Sequence, residues 1–215
     1  MTTKSPQKRR LFSYIVEHDQ GFAPNPFWGK CTLAHCKPIH DVPGIRSVAE
    51  IGDWVVGLTP KKEGNRVIYF MEVTDKKQSF EEYFKDPKFK KKIPNKNSKN
   101  EKVRKGDNIY QPPGSSCGPL RSLHSHKDNS EKENAKRRDL HYDKVLISNN
   151  FTYWGRERIP LPKNLTFLII ARGYRNHFSP EQIKTFMKFA KKYQHQGRVG
   201  YPTKWDSVTE HRKEC

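Results

Sequence analysis

Residues 20–29, QGFAPNPFWG, constrain the fold of this chain more than any other part of it: ten positions without a charge hold two Pro, two Gly, two Phe and a Trp. Pro24 and Pro26 each remove a backbone donor and disfavour helix at Ala23 and Asn25. Regular structure therefore cannot run through the segment. Nor is it solvated linker, because the chain around it is 30% charged. His18 and Asp19 precede it and Cys31 and Cys36 follow, so residues 14–38 read as a site-forming loop, with a core-packing loop as the alternative.

The chain has 215 residues, enough to bury a real core. Lys+Arg number 42 against 23 Asp+Glu, a net charge of +19. Such a field favours an anionic partner, nucleic acid first, the alternative being lysines that only solubilise the protein. No apolar run approaches the roughly 20 residues that span a bilayer. The N-terminal MTTKSPQKRR lacks the apolar core of a signal peptide, so the expectation is a soluble, cytoplasmic protein with no membrane partner. Four Cys, at 31, 36, 117 and 215, are too few for a disulfide framework and read as free thiols.

Residues 1–10 read as a basic flexible arm and 11–16 as a strand. Ile45, Val48 and Ile51 fall near helical spacing, with Gly52 placed to end the turn. Residues 53–58 and 67–74 are apolar runs expected to pair as antiparallel strands. Ser79 and Glu82 form a capping-box pattern opening the helix FEEYF, which Asp86-Pro87 ends. Residues 88–105, rich in Lys and Asn, and 127–138 read as loose insertions in a single domain spanning 11–215. Residues 145–148, 151–154 and 167–171 read as strands, with Asn149-Asn150 turning between the first two. Ser179, Pro180 and Gln182 cap an amphipathic helix that aligns Ile183, Phe186, Met187, Ala190 and Tyr193 on one face. The expected class is α+β, with a curved, mainly antiparallel sheet or a small β-barrel flanked by short helices.

The segments YIVEHDQGFAPNPFWGKCTLAHCKP, IGDWVVGL, VIYFMEVT, FEEYFKDPKF, GDNIYQP, HSH and KVLISNNFTYWG follow one another in this order. Together they resemble the second of the nucleotide-modification-associated domain families, named for occurrence beside DNA base-modification genes in phages and bacteria. The resemblance implies a role in nucleotide or DNA modification and a base-modification enzyme as a further partner. The helix, the GDWVVGL strand and the Tyr83–Pro87 stretch also resemble the order in small PUA, ASCH and EVE barrels, which bind RNA or modified bases.

Four constellations could carry the chemistry. An aromatic base pocket would use Phe22, Phe27, Trp28, Tyr110, Tyr153 and Trp154, with Asp19, Asn25, Asp107 and Asn108 reading the base edge; core filling is the alternative. A catalytic set would use Cys31 as a thiolate with His18, Asp107 and His126, and His124 near by. A zinc site drawn from Cys31, His35, Cys36 and His40 with Cys117, His124 and His126 has poor spacing, so neither a metal nor another cofactor is expected. Arg9, Arg10, Lys90, Lys91 and Arg137 are the expected phosphate contacts. The leading expectation is a nucleic-acid or nucleotide-binding domain that recognises or helps form modified DNA bases, with DNA ahead of RNA. A base-modifying transferase or hydrolase using Cys31, His18 and Asp107, and a protein-interaction accessory of a modification system, are the alternatives.

Overall fold

A computed structural model describes residues 9–35, 43–112, 120 and 140–205. Strand β1 (Leu11–Ile15) runs parallel to β3 (Trp54–Leu58), Leu11 opposite Trp54 and Ile15 opposite Leu58. Parallel neighbours need a long crossover. Here it contains the aromatic loop, β2 (Cys31–Leu33) and the short helix α1 (Ile45–Val48). The chain then turns from β3 into β4 (Val67–Glu72), antiparallel as expected. β5 (Asp75–Lys77), α2 (Phe80–Lys85) and α3 (Glu101–Arg104) precede β6 (Val145–Ser148) and β7 (Asn150–Tyr153). β8 (Tyr174–Arg175), α4 (Pro180–Tyr193) and β9 (Gly197–Arg198) follow.

The strands make a six-stranded sheet in the order β8-β1-β3-β4-β7-β9 and a three-stranded sheet β2-β6-β5. Neither closes, so the α+β expectation holds and the small-barrel alternative does not. Phe12, Val55 and Met71 of the larger sheet share one apolar cluster with Cys31, Leu33 and Leu146 of the smaller. The larger sheet's other face, with Leu11, Trp54, Val56 and Phe70, packs on Phe186 and Ala190 of α4. Val145 and Ile147 on the smaller sheet pack outward on Phe80, Tyr83 and Phe89. β3 is covered on both faces, which is why WVVGL is continuously apolar rather than alternating. Each large apolar side chain so buried contributes about 1.5–3 kcal/mol by leaving water.

Three expectations are corrected. Asn149-Asn150 is not a hairpin turn: β6 pairs with β2 and β5, β7 with β4 and β9, and the chain passes here from one sheet to the other. Residues 167–171 are not a strand, because residues up to Leu168 complete a 3-10 helix, Lys163–Leu168, begun after Pro162. Its three-residue repeat puts Leu165 and Leu168 on the same side, both wholly buried. Residues 88–105 are not a loose insertion. They hold a 3-10 helix, Pro87–Lys92, and α3, and bury Phe89, Lys92, Glu101 and Lys105. The charges are accommodated by pairing, Glu101 with Arg104 and with Lys105 Nζ at 3.0 Å. Residues 127–138 lie outside the described residues. No helix among the described residues is long and apolar enough to cross a membrane.

Candidate functional site

The aromatic loop ends in a tight hairpin. Asn25 and Thr32 exchange both backbone hydrogen bonds, at 2.9 and 3.0 Å. At its tip Trp28 and Gly29 both lie in the left-handed region, φ 64° and 74°. That is the requirement of the primed turns that suit hairpins, and it is an outlying conformation for a residue as bulky as Trp. The tip stands out because its base is held: Lys92 Nζ donates within reach of Asn25 O at 2.9 Å, Asn25 Oδ1 at 2.8 Å, Lys30 O at 3.0 Å and Thr32 Oγ1 at 3.0 Å. Thr32 in turn donates to Asp107 Oδ2 at 2.5 Å, and Tyr83 donates to Asp107 Oδ1 at 2.9 Å. His35 Nε2 lies 2.6 Å from the Asp107 carbonyl oxygen, which can only accept, so Nε2 carries the proton.

Cys31, Asp107, Asn25 and Asn108 thus converge, but in a sealed interior, each no more than 1% exposed. Burial pushes the Cys31 thiol up to about 12, Asp107 adding to the rise and Lys92 opposing it. A nucleophilic thiol needs the opposite shift. Burial brings Lys92 down to about 8 against the pull of Asp107 and Cys31. His18 stands apart on the surface, its Nδ1 accepting from Lys204 Nζ at 3.0 Å. Asp19 accepts from Tyr153 Oη and from the Thr203 backbone N–H, at 2.9 Å, and hydroxyl, at 3.0 Å. Burial raises its pKa, which these bonds partly offset.

The six aromatics expected to form one pocket are spread over several packing environments, and only Phe22 and Tyr110 share one, around His35 and Phe80. Phe22 stacks on His35 at 4.6 Å, and Tyr110 packs on Phe80 at 4.5 Å. Trp154 lies between Phe70 and Tyr193, and Tyr153 belongs to the cluster between the sheets. Phe27 packs on Trp205. Trp28 alone of the six faces outward, 37% exposed. Of the expected phosphate contacts, Arg9, Lys90 and Lys91 are exposed. Arg10 is committed to Asp53, Nη2 to Oδ2 at 2.6 Å, and to the Val48 carbonyl. His126, Arg137, His124, Cys36, His40 and Cys117 lie outside the described residues. Among the described residues no group of three or more His, Cys, Asp or Glu is placed to hold a metal ion.

Trp28 instead lines an open groove of about 400 Å³. The hairpin tip, residues 26–29, forms one part. Lys102 of α3, Asn149 and Phe151 at the sheet-to-sheet passage, and His195, Gly197 and Arg198 around β9 form the rest. No carboxylate contributes to this lining. Lys91 Nζ sits 5.6 Å over the Trp28 ring. The Arg198 guanidinium lies 4.2 Å from the Tyr201 ring and 5.7 Å from the Phe27 ring. His195, like Trp28, has a positive φ, of 61°. Such backbone costs about 1–3 kcal/mol per residue and gathers at ligand sites.

β9 reaches the groove because the chain after it docks closely. Val199 N–H donates to Tyr153 O at 2.8 Å and Arg156 N–H to Tyr201 O at 2.7 Å. A Cβ at Gly200 would stand 2.1 Å from the Trp154 carbonyl oxygen, so only glycine permits this approach. As ligand contacts, Asn149, His195 and Arg198 are not singled out by the sequence, and Lys102 enters only within the Lys-rich stretch 88–105 that could touch phosphate. HQGRVGYP, residues 195–202, has the same mixture of glycine, proline, aromatic and turn-forming character as residues 20–29, and that was the available signal.

Fold and groove together define a mixed α/β protein that presents an exposed tryptophan among cations. The family description nucleotide modification associated domain 2 matches residues 8–209, and the chain belongs to that family. No curated protein and no solved structure matches the chain.

Proposed function

We propose that this chain recognises nucleotide bases, in DNA or as free nucleotides, by stacking them on Trp28, and serves as a recognition component of a base-modification system. The observation that carries this is Trp28 itself: 37% exposed at the tip of a braced hairpin, under Lys91 at 5.6 Å, on a groove lined by Lys102 and Arg198 without a carboxylate. Stacking on an aromatic ring contributes about 1–3 kcal/mol per base, and cations supply attraction that does not depend on sequence. Membership of a nucleotide-modification family supports the same ligand class. An enzymatic role through Cys31 and Asp107 has no such support, since a substrate would have to open the hairpin to reach either.

The test is binding of unmodified and hypermodified DNA, single-stranded and duplex, and of matched RNA, across a salt series, with Trp28→Ala alongside. Trp28→Ala is expected to weaken binding by roughly 5- to 150-fold. Equal, negligible affinity for every ligand would sink the reading.

A further inference from the structure

We infer that the groove holds one nucleotide unit with its phosphate on the Arg198 guanidinium, so that its ligand is a nucleoside monophosphate or the phosphorylated end of a strand. This rests on the stacking role of Trp28. Three observations lead there.

The first is size. At about 400 Å³ the groove falls at the small end of ligand sites, which run from about 300 to 1,000 Å³. The second is the number of platforms. Readers of a continuous single strand stack successive bases on successive aromatic rings. Here Trp28 is the one exposed Trp, Tyr or Phe in the lining, Phe27 and Phe151 being 2% and 3% exposed, and the exposed His195 adds only a smaller imidazole ring. Tyr201, beyond the groove, already carries Arg198 and packs on Trp205 at 5.4 Å. A base inside a duplex could not reach Trp28 without leaving its stack.

The third is Arg198. Its guanidinium is held by the Tyr201 and Phe27 rings and by Nη1 donating to Gly200 O at 3.3 Å. Its Nε and Nη2 donors have no partner among the described residues. A planar fork fixed in place with donors to spare is suited to two parallel bonds to a phosphate, and little side-chain freedom is lost on binding. Lys102 adds a second positive charge, and Asn149 supplies an amide that can read a base edge.

Calorimetric titration of the full chain with a deoxynucleoside, its 5′-monophosphate, and single strands with and without a 5′-phosphate tests the inference. The monophosphate should bind about tenfold or more tightly than the nucleoside. Arg198→Gln should abolish that difference. Arg198→Lys should restore only part of it, because an ammonium cannot form the fork. If the 5′-phosphate strengthens strand binding equally, strand ends are the ligand; if only the free monophosphate gains, a free nucleotide is. Equal binding of nucleoside and monophosphate by the wild-type chain overturns the inference whatever the variants do, and leaves stacking on Trp28 standing. So does strand binding indifferent to the terminal phosphate with no binding of the monophosphate. Trp28→Ala without effect on any of these ligands removes both readings.

Discussion

At Cys31 and Lys92 the same burial moves two neighbouring groups in opposite directions. The thiol rises from 9.0 to about 12, so its favourable contribution is complete below pH 9 and is lost as pH climbs toward 12. The ammonium falls from 10.5 to about 8, so its desolvation penalty is complete below pH 8 and is relieved as pH rises to 10.5. The stability gap between wild type and Cys31→Ala, followed by melting temperature, should therefore narrow as pH rises from about 9 to about 12. A constant gap would mean that folding leaves the thiol's ionisation unchanged. Peptide mapping after iodoacetamide at neutral pH should find Cys31 modified only in denaturant. Modification of the native protein would restore the thiolate reading that the sequence left open.

Among the elements, the hairpin from Asn25 to Thr32 depends on a lysine about sixty residues away in sequence, with Lys92 bound to both of its ends. Lys92→Met would leave those oxygens and the Asp107 charge without their cation, at a cost of about 3–5 kcal/mol. Hydrogen exchange at the Thr32 amide should quicken accordingly, and unchanged exchange would show that the hairpin holds itself. Ser179→Ala makes a useful contrast. It removes the hydroxyl that accepts from Gln182 N–H at the start of α4, and should lower stability by about 1 kcal/mol in urea while leaving groove binding intact.

Such caps were legible in the sequence because Ser179, Pro180 and Gln182 lie within one turn. The β3–β4 pair was legible for the same reason, being joined by a short turn. The passage at Asn149-Asn150 was not, since VLIS and NFTY read as strands whichever sheet each joins. Residues 88–105 misled because a lysine that will be caged by carbonyls looks, in sequence, like one in water. The candidate site was half legible. Trp28 announced itself, whereas Arg198 reaches it only through the parallel pairing of β9 with β7, some 45 residues apart in sequence.

For the whole molecule, the charge of +19 overstates what a ligand meets. Lys76, Lys92 and Lys105 are buried, and Arg10 is tied to Asp53. If Lys91, Lys102 and Arg198 are the cations that meet a strand, affinity should fall with log salt at a slope of about −2, from ~0.7 per phosphate. A slope several times steeper would instead point to binding over the whole basic surface. The clasp of Asp19 on Thr203 and Lys204 adds a constraint in time. The groove's two sides come from residues 26–29 and 195–198, so a chain still being synthesised has the aromatic tip long before it has the guanidinium. On the proposed reading, its attraction for nucleic acid is then only that of diffuse charge. If the groove grips a nucleotide as proposed, it does so only once residues 195–204 have been made and have docked, and the ribosome's own RNA meets the growing chain before then.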